Sequence, residues 1–373
     1  MNPIIEYFDG LVKENEILGA VCAVYSGEEE IFRHTTGYQN AAKTKPQTYD
    51  GIFRLASMTK PITAAAVMIC VERGLLDLDA PISRYIDGFC HSGVGKLVDG
   101  EIVFEKASKE LTIRQMLSHS SGIGSGAVGD LQWRNMKKPQ TLKEAVEGFN
   151  GWYLDFEAGC SQAYSPFMAM EIAARAVEIV TGVSWIEFLQ KEIFTPLNMK
   201  DTGYQLSEEQ LLRKHEMCIR RDKQFEVSEF DTGFEAFIDG YTGASAGLYS
   251  TLDDYANFAR MLSGKGVFKG KRILSENSVA EIARPQLLKT IAGVNEYFNW
   301  GLGVRTLEKQ GECQPLPDGS FGWSGAYGTH FWIEPKSGIS AVLMLNARDA
   351  GGSGSPYSYR FEELVQQEFG ERK

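Results

Sequence analysis

The chain has little that would tie it to nucleic acid, a membrane or a metal. It has no extended block of Lys and Arg: 38 basic side chains stand against 49 acidic ones, a formal charge of −11. A nucleic-acid binder needs clustered positive charge to displace counterions, so no nucleic-acid partner is expected. No apolar run reaches membrane-spanning length, because the stretch 64–71 ends at Glu72-Arg73. The first residues, Met1 to Asp9, carry acids and lack the basic start and apolar centre of a secretory signal. Six scattered cysteines form no Cys-x-x-Cys pair, and five histidines show no ligand spacing. No metal and no cofactor are therefore expected. Unpaired cysteines without a leader fit a reducing cytoplasm, with a trimmed secreted form as the alternative.

What is present is an ordinary globular composition, 43% hydrophobic and 23% charged over 373 residues. That length suffices for one large domain or two smaller ones. The N-terminal segment reads as a helix over 3–15 and then two strands, 19–25 and 30–34. From 76 to 236 the pattern is mostly helical. Thr112 with Gln115 and Thr141 with Glu144 mark capped starts, and Thr181-Gly182 marks a helix end. Thr251 followed by Asp254 starts a helix over 252–262. Strand-like runs follow at 301–304, 328–333 and 339–345, and a last helix spans about 360–371. Strands lie at both ends of the chain with helices between. The predicted fold is α/β (α+β): one antiparallel sheet built from both chain ends and covered by helices, with an inserted all-helical domain. The expected division is 1–75 with 237–373 for the sheet domain and 76–236 for the insertion.

Ser57-Met58-Thr59-Lys60 is the only Ser-x-x-Lys in the sequence. A short apolar lead-in, Ile52 to Ala56, precedes it, and a buried helix from Pro61 to Met68 follows. Ser57 therefore falls at a helix N-terminus, where unpaired N–H groups and the dipole favour developing negative charge. Residues i and i+3 share a helix face, so the Lys60 amine reaches the Ser57 hydroxyl. These are the parts of an activated nucleophile.

Such a nucleophile needs a second proton-handling group and an oxyanion hole. Tyr164 lies on a Gly/Ser-rich loop, Gly159 to Pro166, ahead of a helix, and a neighbouring ammonium favours its phenolate. In Trp323-Ser324-Gly325-Ala326-Tyr327-Gly328, small residues at an edge strand admit a substrate close to the backbone. There the N–H groups of Ala326 and Ser57 can polarise one carbonyl oxygen.

These three elements, in this order, resemble the serine β-lactamase and penicillin-binding-protein superfamily, for which Ser-x-x-Lys is a signature. Further runs look like landmarks of its class C-like branch: Met116 to Gly122, Gly74 to Asp79 and Gly247 to Asp254. The resemblance covers about residues 5–346. It implies that Ser57 is the acyl-accepting nucleophile and that Lys60 and Tyr164 share the proton transfers. The backbone of Ser57 and Ala326 would form the oxyanion hole. Which of Lys60 and Tyr164 takes the serine proton stays open, because a close pair titrates as a unit.

Two positions depart from the β-lactamase pattern. Tyr164-Ser165-Pro166 replaces Tyr-x-Asn, and Trp323-Ser324-Gly325 replaces Lys-Thr-Gly. The chain thus lacks the usual amide donor and the usual cation for a substrate carboxylate. Trp-x-Gly forms are similar to those of the family VIII carboxylesterases. The resemblance therefore implies a carboxylesterase acting on a small-molecule acyl substrate, bound by Trp323, Ser324, Gly325 and Tyr327. Arg348 is a candidate carboxylate anchor, which keeps β-lactamase or D-amino-acyl peptidase activity as the alternative. Acyl transfer and a ligand-sensing scaffold are the remaining readings. Trp152, Tyr153, Trp300, Tyr327 and Trp332 are candidates for an acyl pocket or for core, and His119 for a structural hydrogen bond.

Overall fold

The computed structural model describes residues 2–228, 241–311 and 314–370. Its centre is one seven-stranded sheet. The strands are β1 (Gly19–Ser26), β2 (Glu29–Gly37), β3 (Phe298–Trp300), β4 (Arg305–Leu307), β5 (Phe321–Ser324), β6 (His330–Ile333) and β7 (Ile339–Met344). They lie in the order β3-β4-β5-β6-β7-β1-β2, every pair antiparallel. The two chain ends meet one strand in from its β2 edge, where Val21 of β1 faces Met344 of β7. The expected sheet architecture holds.

Successive side chains of a strand point to opposite faces, and both faces are buried here. On β1, Val21, Ala23 and Tyr25 join one core cluster while Ala20, Cys22 and Val24 join the other. On β7 the same split separates Val342 and Met344 from Ile339, Ala341 and Leu343. This is why both strands read as continuous apolar runs rather than as alternation. Helices α1 (Pro3–Lys13) and α5 (Pro356–Phe369) cover the second face, with Phe8 edge-on to Phe361. Helices α2 (Thr59–Glu72), α3 (Met168–Thr181) and α4 (Leu252–Ser263) build the first, Tyr255 meeting Phe331 edge-on.

The expected caps are present. Thr112 and Gln115 form a reciprocal box, Thr141 accepts from Glu144 N–H, Thr251 accepts from Asp254 N–H, and Gly182 closes α3 at φ +71°. The last helix begins before the expected 360, with Ser355 as cap and proline in its first turn. Its expected end, Glu371, lies outside the described residues. The run 301–304, read as a strand, is the connection between β3 and β4. Gly303 there has φ +68°, and a Cβ on it would crowd the carbonyl of Lys60.

The segment 76–236 is not all-helical. It carries a sheet of Gly93–Val98, Glu101–Glu105 and Tyr153–Leu154, and a hairpin of Cys218–Arg221 with Gln224–Val227. Both hairpins turn on two residues with positive φ, Asp99-Gly100 and Asp222-Lys223. A primed turn of this kind matches the twist of its strands. The expected boundary at 236/237 lies outside the described residues. Among the described residues no helix is long and apolar enough to cross a membrane.

Candidate active site

Ser57 sits in a single tight turn, Ala56–Met58, that runs directly into α2. The turn opens on Ala56 at φ +46°, a left-handed conformation that costs a non-glycine residue roughly 1 kcal/mol or more. It is anchored by Tyr255, whose hydroxyl donates to the Met58 carbonyl at 2.9 Å. Leu55 N–H is bound to Leu248 O at 2.9 Å. The serine is thus half-buried on a strained turn held from two sides.

Helix α2 is apolar all round, and Thr59 to Cys70 are all buried within it. Lys60 has no exposed surface, yet its ammonium is fully engaged. Nζ donates to Ser57 Oγ at 3.2 Å, to Pro166 O at 2.8 Å and to Ser245 O at 3.0 Å. A buried cation persists only with such partners. Tyr164, on the loop before α3, donates to the same Ser57 Oγ at 2.8 Å, and Lys60 Nζ lies 5.0 Å from its ring centre. One serine oxygen is therefore contacted by both an amine and a phenol.

Behind Tyr164 stands an aromatic wall. Trp300 stacks on its ring at 5.8 Å, Trp323 tilts against it at 5.4 Å, and the two indoles meet edge-on at 4.6 Å. His119 lies against both Tyr164 and Trp300 at 4.6 and 4.3 Å. Its Nδ1 accepts from Ser165 N–H at 3.1 Å, a structural hydrogen bond made not within the expected turn 118–122 but across to the Tyr164 loop. Burial, assisted by the charge of Lys60, holds its imidazole well below the usual range, so it is neutral.

The end of β5 reaches the Ser57 turn through Gly325. A Cβ there would overlap the Leu55 carbonyl and the Thr329 hydroxyl. Gly325 N–H binds Thr329 O at 2.8 Å and Gly328 N–H binds Gly325 O at 3.2 Å, closing a turn whose tip is the exposed Ala326. Ala326 is thereby carried to the neighbourhood of Ser57.

Not every expected residue arrives at this point. Trp323 faces Tyr164, so the pleat turns Ser324 to the opposite face of the sheet. There the Ser324 hydroxyl meets His330 Nδ1 at 2.8 Å, and His330 Nε2 meets Glu362 at 2.9 Å. Tyr327 is buried against Met217 and against Ala56, the residue before Ser57. Arg348 donates to Ser228 Oγ at 2.9 Å, beyond the end of the 218–227 hairpin. Trp332 lies on the far face and donates to Glu334 at 3.0 Å, while Trp152 packs on Phe149 and Tyr153 on Phe104. Of the five aromatic candidates, Trp300 is the one with a ring contact to Tyr164 among the described residues. Among the described residues no cluster of three or more His, Cys, Asp or Glu could hold a metal.

The sequence reading missed the two carbonyls that hold Lys60. Pro166 drew notice for what its side chain lacks, whereas its main-chain oxygen is the contact. Ser245 lies in Gly243-Ala244-Ser245-Ala246-Gly247, a Gly-x-Ser-x-Gly spacing that marks the nucleophile of other hydrolases. Here Ser245 is wholly buried and its hydroxyl donates to Phe167 O, so it is not presented to a substrate.

The 323–328 run, expected at an edge strand, instead leaves an interior one, paired on both sides. A mixed α/β fold with a serine–lysine–tyrosine cluster beside the end of that strand defines an acyl-transferring serine hydrolase class. The chain belongs to the Beta-lactamase family, which it matches over residues 4–360. It is 27% identical over 384 residues to Esterase EstB of Burkholderia gladioli, covering 93% of this chain and 90% of that one. It is 29% identical over 376 residues to Penicillin-binding protein 4 of Amycolatopsis lactamdurans, covering 96% and 88%. Its fold matches that of EstCE1, a hydrolase with promiscuous acyltransferase activity, with a TM-score of 0.82 at 22% identity over 97% of both chains. The chain is a serine hydrolase working through an acyl-enzyme.

Proposed function

We propose that the chain is a carboxylesterase for small or medium acyl esters, with Ser57 as nucleophile and Lys60 and Tyr164 as its proton-transfer pair. The observation that carries this reading is the convergence of Lys60 and Tyr164 on Ser57 Oγ, at 3.2 and 2.8 Å. Both groups face Oγ as donors, so the reactive form is the one in which one of the pair has given up its proton; Ser57 Oγ then attacks the ester carbonyl carbon as its own proton passes to that vacant base. The carbonyl π electrons move to oxygen, where the N–H groups of Ser57 and Ala326 stabilise the charge. Collapse re-forms the carbonyl and breaks the bond to the alkoxy oxygen, which leaves as the alcohol with the proton held by the pair. Water then attacks the acyl-enzyme through the same steps and regenerates Ser57. Both groups reach Ser57 Oγ, so a single base is not assigned.

The esterase preference is argued from the indoles of Trp323 and Trp300. They put apolar surface beside Tyr164 where β-lactamase-like sequences supply a lysine, and this suits an uncharged acyl group better than a carboxylate. The similarity to the Burkholderia esterase points the same way. The test is initial rates of p-nitrophenyl butyrate and of a cephalosporin on one preparation. The ester should be turned over with the higher kcat/KM; preference for the cephalosporin would replace the esterase reading with a β-lactamase-like one.

Acyl transfer is the second reading. It is favoured by the same dry aromatic wall and by the fold shared with EstCE1, itself a hydrolase with promiscuous acyltransferase activity. Added butanol should then divert the butyryl group to butyl butyrate in competition with water. Alcohol-independent release of butyrate would leave hydrolysis alone.

A further inference from the structure

Glu171 stands in the first turn of α3, wholly buried, and takes no part in the steps above. Its Oε2 accepts from Ala244 N–H at 2.7 Å and from the Tyr241 hydroxyl at 3.2 Å, and its Oε1 from Ser245 N–H at 3.0 Å. The next carbonyl along, Ser245 O, is one of the two that receive Lys60 Nζ. Thr63, one turn beyond Lys60 on α2, donates to Ala244 O at 2.6 Å. The strip 244–245 is therefore stitched to α3 by a carboxylate and to α2 by a threonine and the catalytic amine.

We propose that Glu171 is a positioning residue for Lys60: by clamping two consecutive N–H groups it fixes where the Ser245 carbonyl meets the ammonium. The proposal rests on the reading of Ser57 and Lys60 as the reactive pair. Only an ionised carboxylate offers acceptors alone; a protonated one turns one oxygen into a donor facing N–H groups. Burial pushes the Glu171 carboxyl up, against the pull of Ala244 and Ser245 N–H, to about 7. The clamp therefore loosens over the range in which an esterase is ordinarily assayed.

The groups around it do not take over this titration. Tyr241 and Tyr204, from the adjoining segments, are held protonated by burial. Glu178, two turns along α3, is paired with Arg175 at 2.8 Å. His119, beyond Lys60, is kept neutral by burial. Lys60 itself is the group that α2 brings to the strip.

The test is the pH dependence of kcat and KM for p-nitrophenyl butyrate in wild type, Glu171→Gln, Tyr241→Phe and Ser57→Ala, with folding checked by circular dichroism. Wild type should show an acid limb near pH 7. Glu171→Gln should lower kcat about 10- to 100-fold at pH 8 with KM within threefold, and lose that limb. Tyr241→Phe removes one hydrogen bond to the carboxylate and should move the limb to higher pH by about half a unit to one unit. This second variant decides the matter if Glu171→Gln does not fold. An unshifted limb in Tyr241→Phe, or a folded Glu171→Gln with the wild-type profile, would overturn the proposal while Ser57→Ala stayed inactive. Wild-type activity in Ser57→Ala would instead overturn the serine reading, and the proposal with it.

Discussion

Gly325 lies so close to the Leu55 carbonyl that no side chain fits between them. This contact joins the end of β5 to the turn that presents Ser57, and so joins the two halves of the proposed oxyanion hole. Gly325→Ala should force the strands apart or distort the turn. Expected are a loss of about 1–3 kcal/mol in stability and a fall in kcat beyond tenfold at temperatures where the protein stays folded. Wild-type kcat with a lowered Tm would show that the contact serves only packing.

Lys60→Met and Tyr164→Phe each remove one of the two groups on Ser57 Oγ. Each should lower kcat by about 10²- to 10⁴-fold, and the double variant should be scarcely worse than either single one, because the pair works as a unit. Steady-state rates on p-nitrophenyl butyrate decide this. Losses that multiply would argue for two independent roles.

Trp323→Lys introduces a cation and removes ring contacts to Tyr164 and Trp300. Each such contact contributes about 0.5–1.5 kcal/mol, so kcat/KM for butyrate esters should fall roughly tenfold. The ratio of cephalosporin to ester turnover should rise by at least as much. An unchanged ratio would mean that Trp323 does not steer substrate choice.

His215 stacks on Phe53 at 4.0 Å, and burial lowers its imidazole to about 3. A depressed histidine contributes stability that is fully present above its unfolded value, near 6.5, and is lost as pH falls toward the folded one. Unfolding free energy should therefore drop between pH 6.5 and 3, by about 5 kcal/mol from this residue at most. His215→Phe should flatten that slope in denaturant titrations. The same slope in both proteins would assign the acid sensitivity elsewhere.

Much of the fold was legible because local signals and burial agree: β1 and β7 are apolar on both faces, and the caps at Thr112, Thr141 and Thr251 are bonded as their spacing implies. The hairpin at Asp99-Gly100 was equally visible in its turn residues but was submerged in a helical reading of the whole insertion. The proximity of Ser57 and Lys60 follows from helix spacing. That of Tyr164 could come only from family resemblance, since a tertiary contact across 107 positions leaves no local pattern. Main-chain acceptors such as Pro166 O and Ser245 O leave no trace in side-chain identity. Ser324 was grouped with the site by motif, and the strand pleat turns its hydroxyl to the other face, whereas Tyr327 packs on Ala56, next to Ser57.

The central claim is that acyl groups pass through Ser57. Stopped reactions of wild type and Ser57→Ala with a slowly hydrolysed butyrate ester, analysed by peptide mass spectrometry, test it most directly. The account predicts one butyryl adduct on the wild-type peptide that carries Ser57, and neither adduct nor turnover in the variant. An adduct on Ser245 or Ser324, or full turnover by Ser57→Ala, would contradict it.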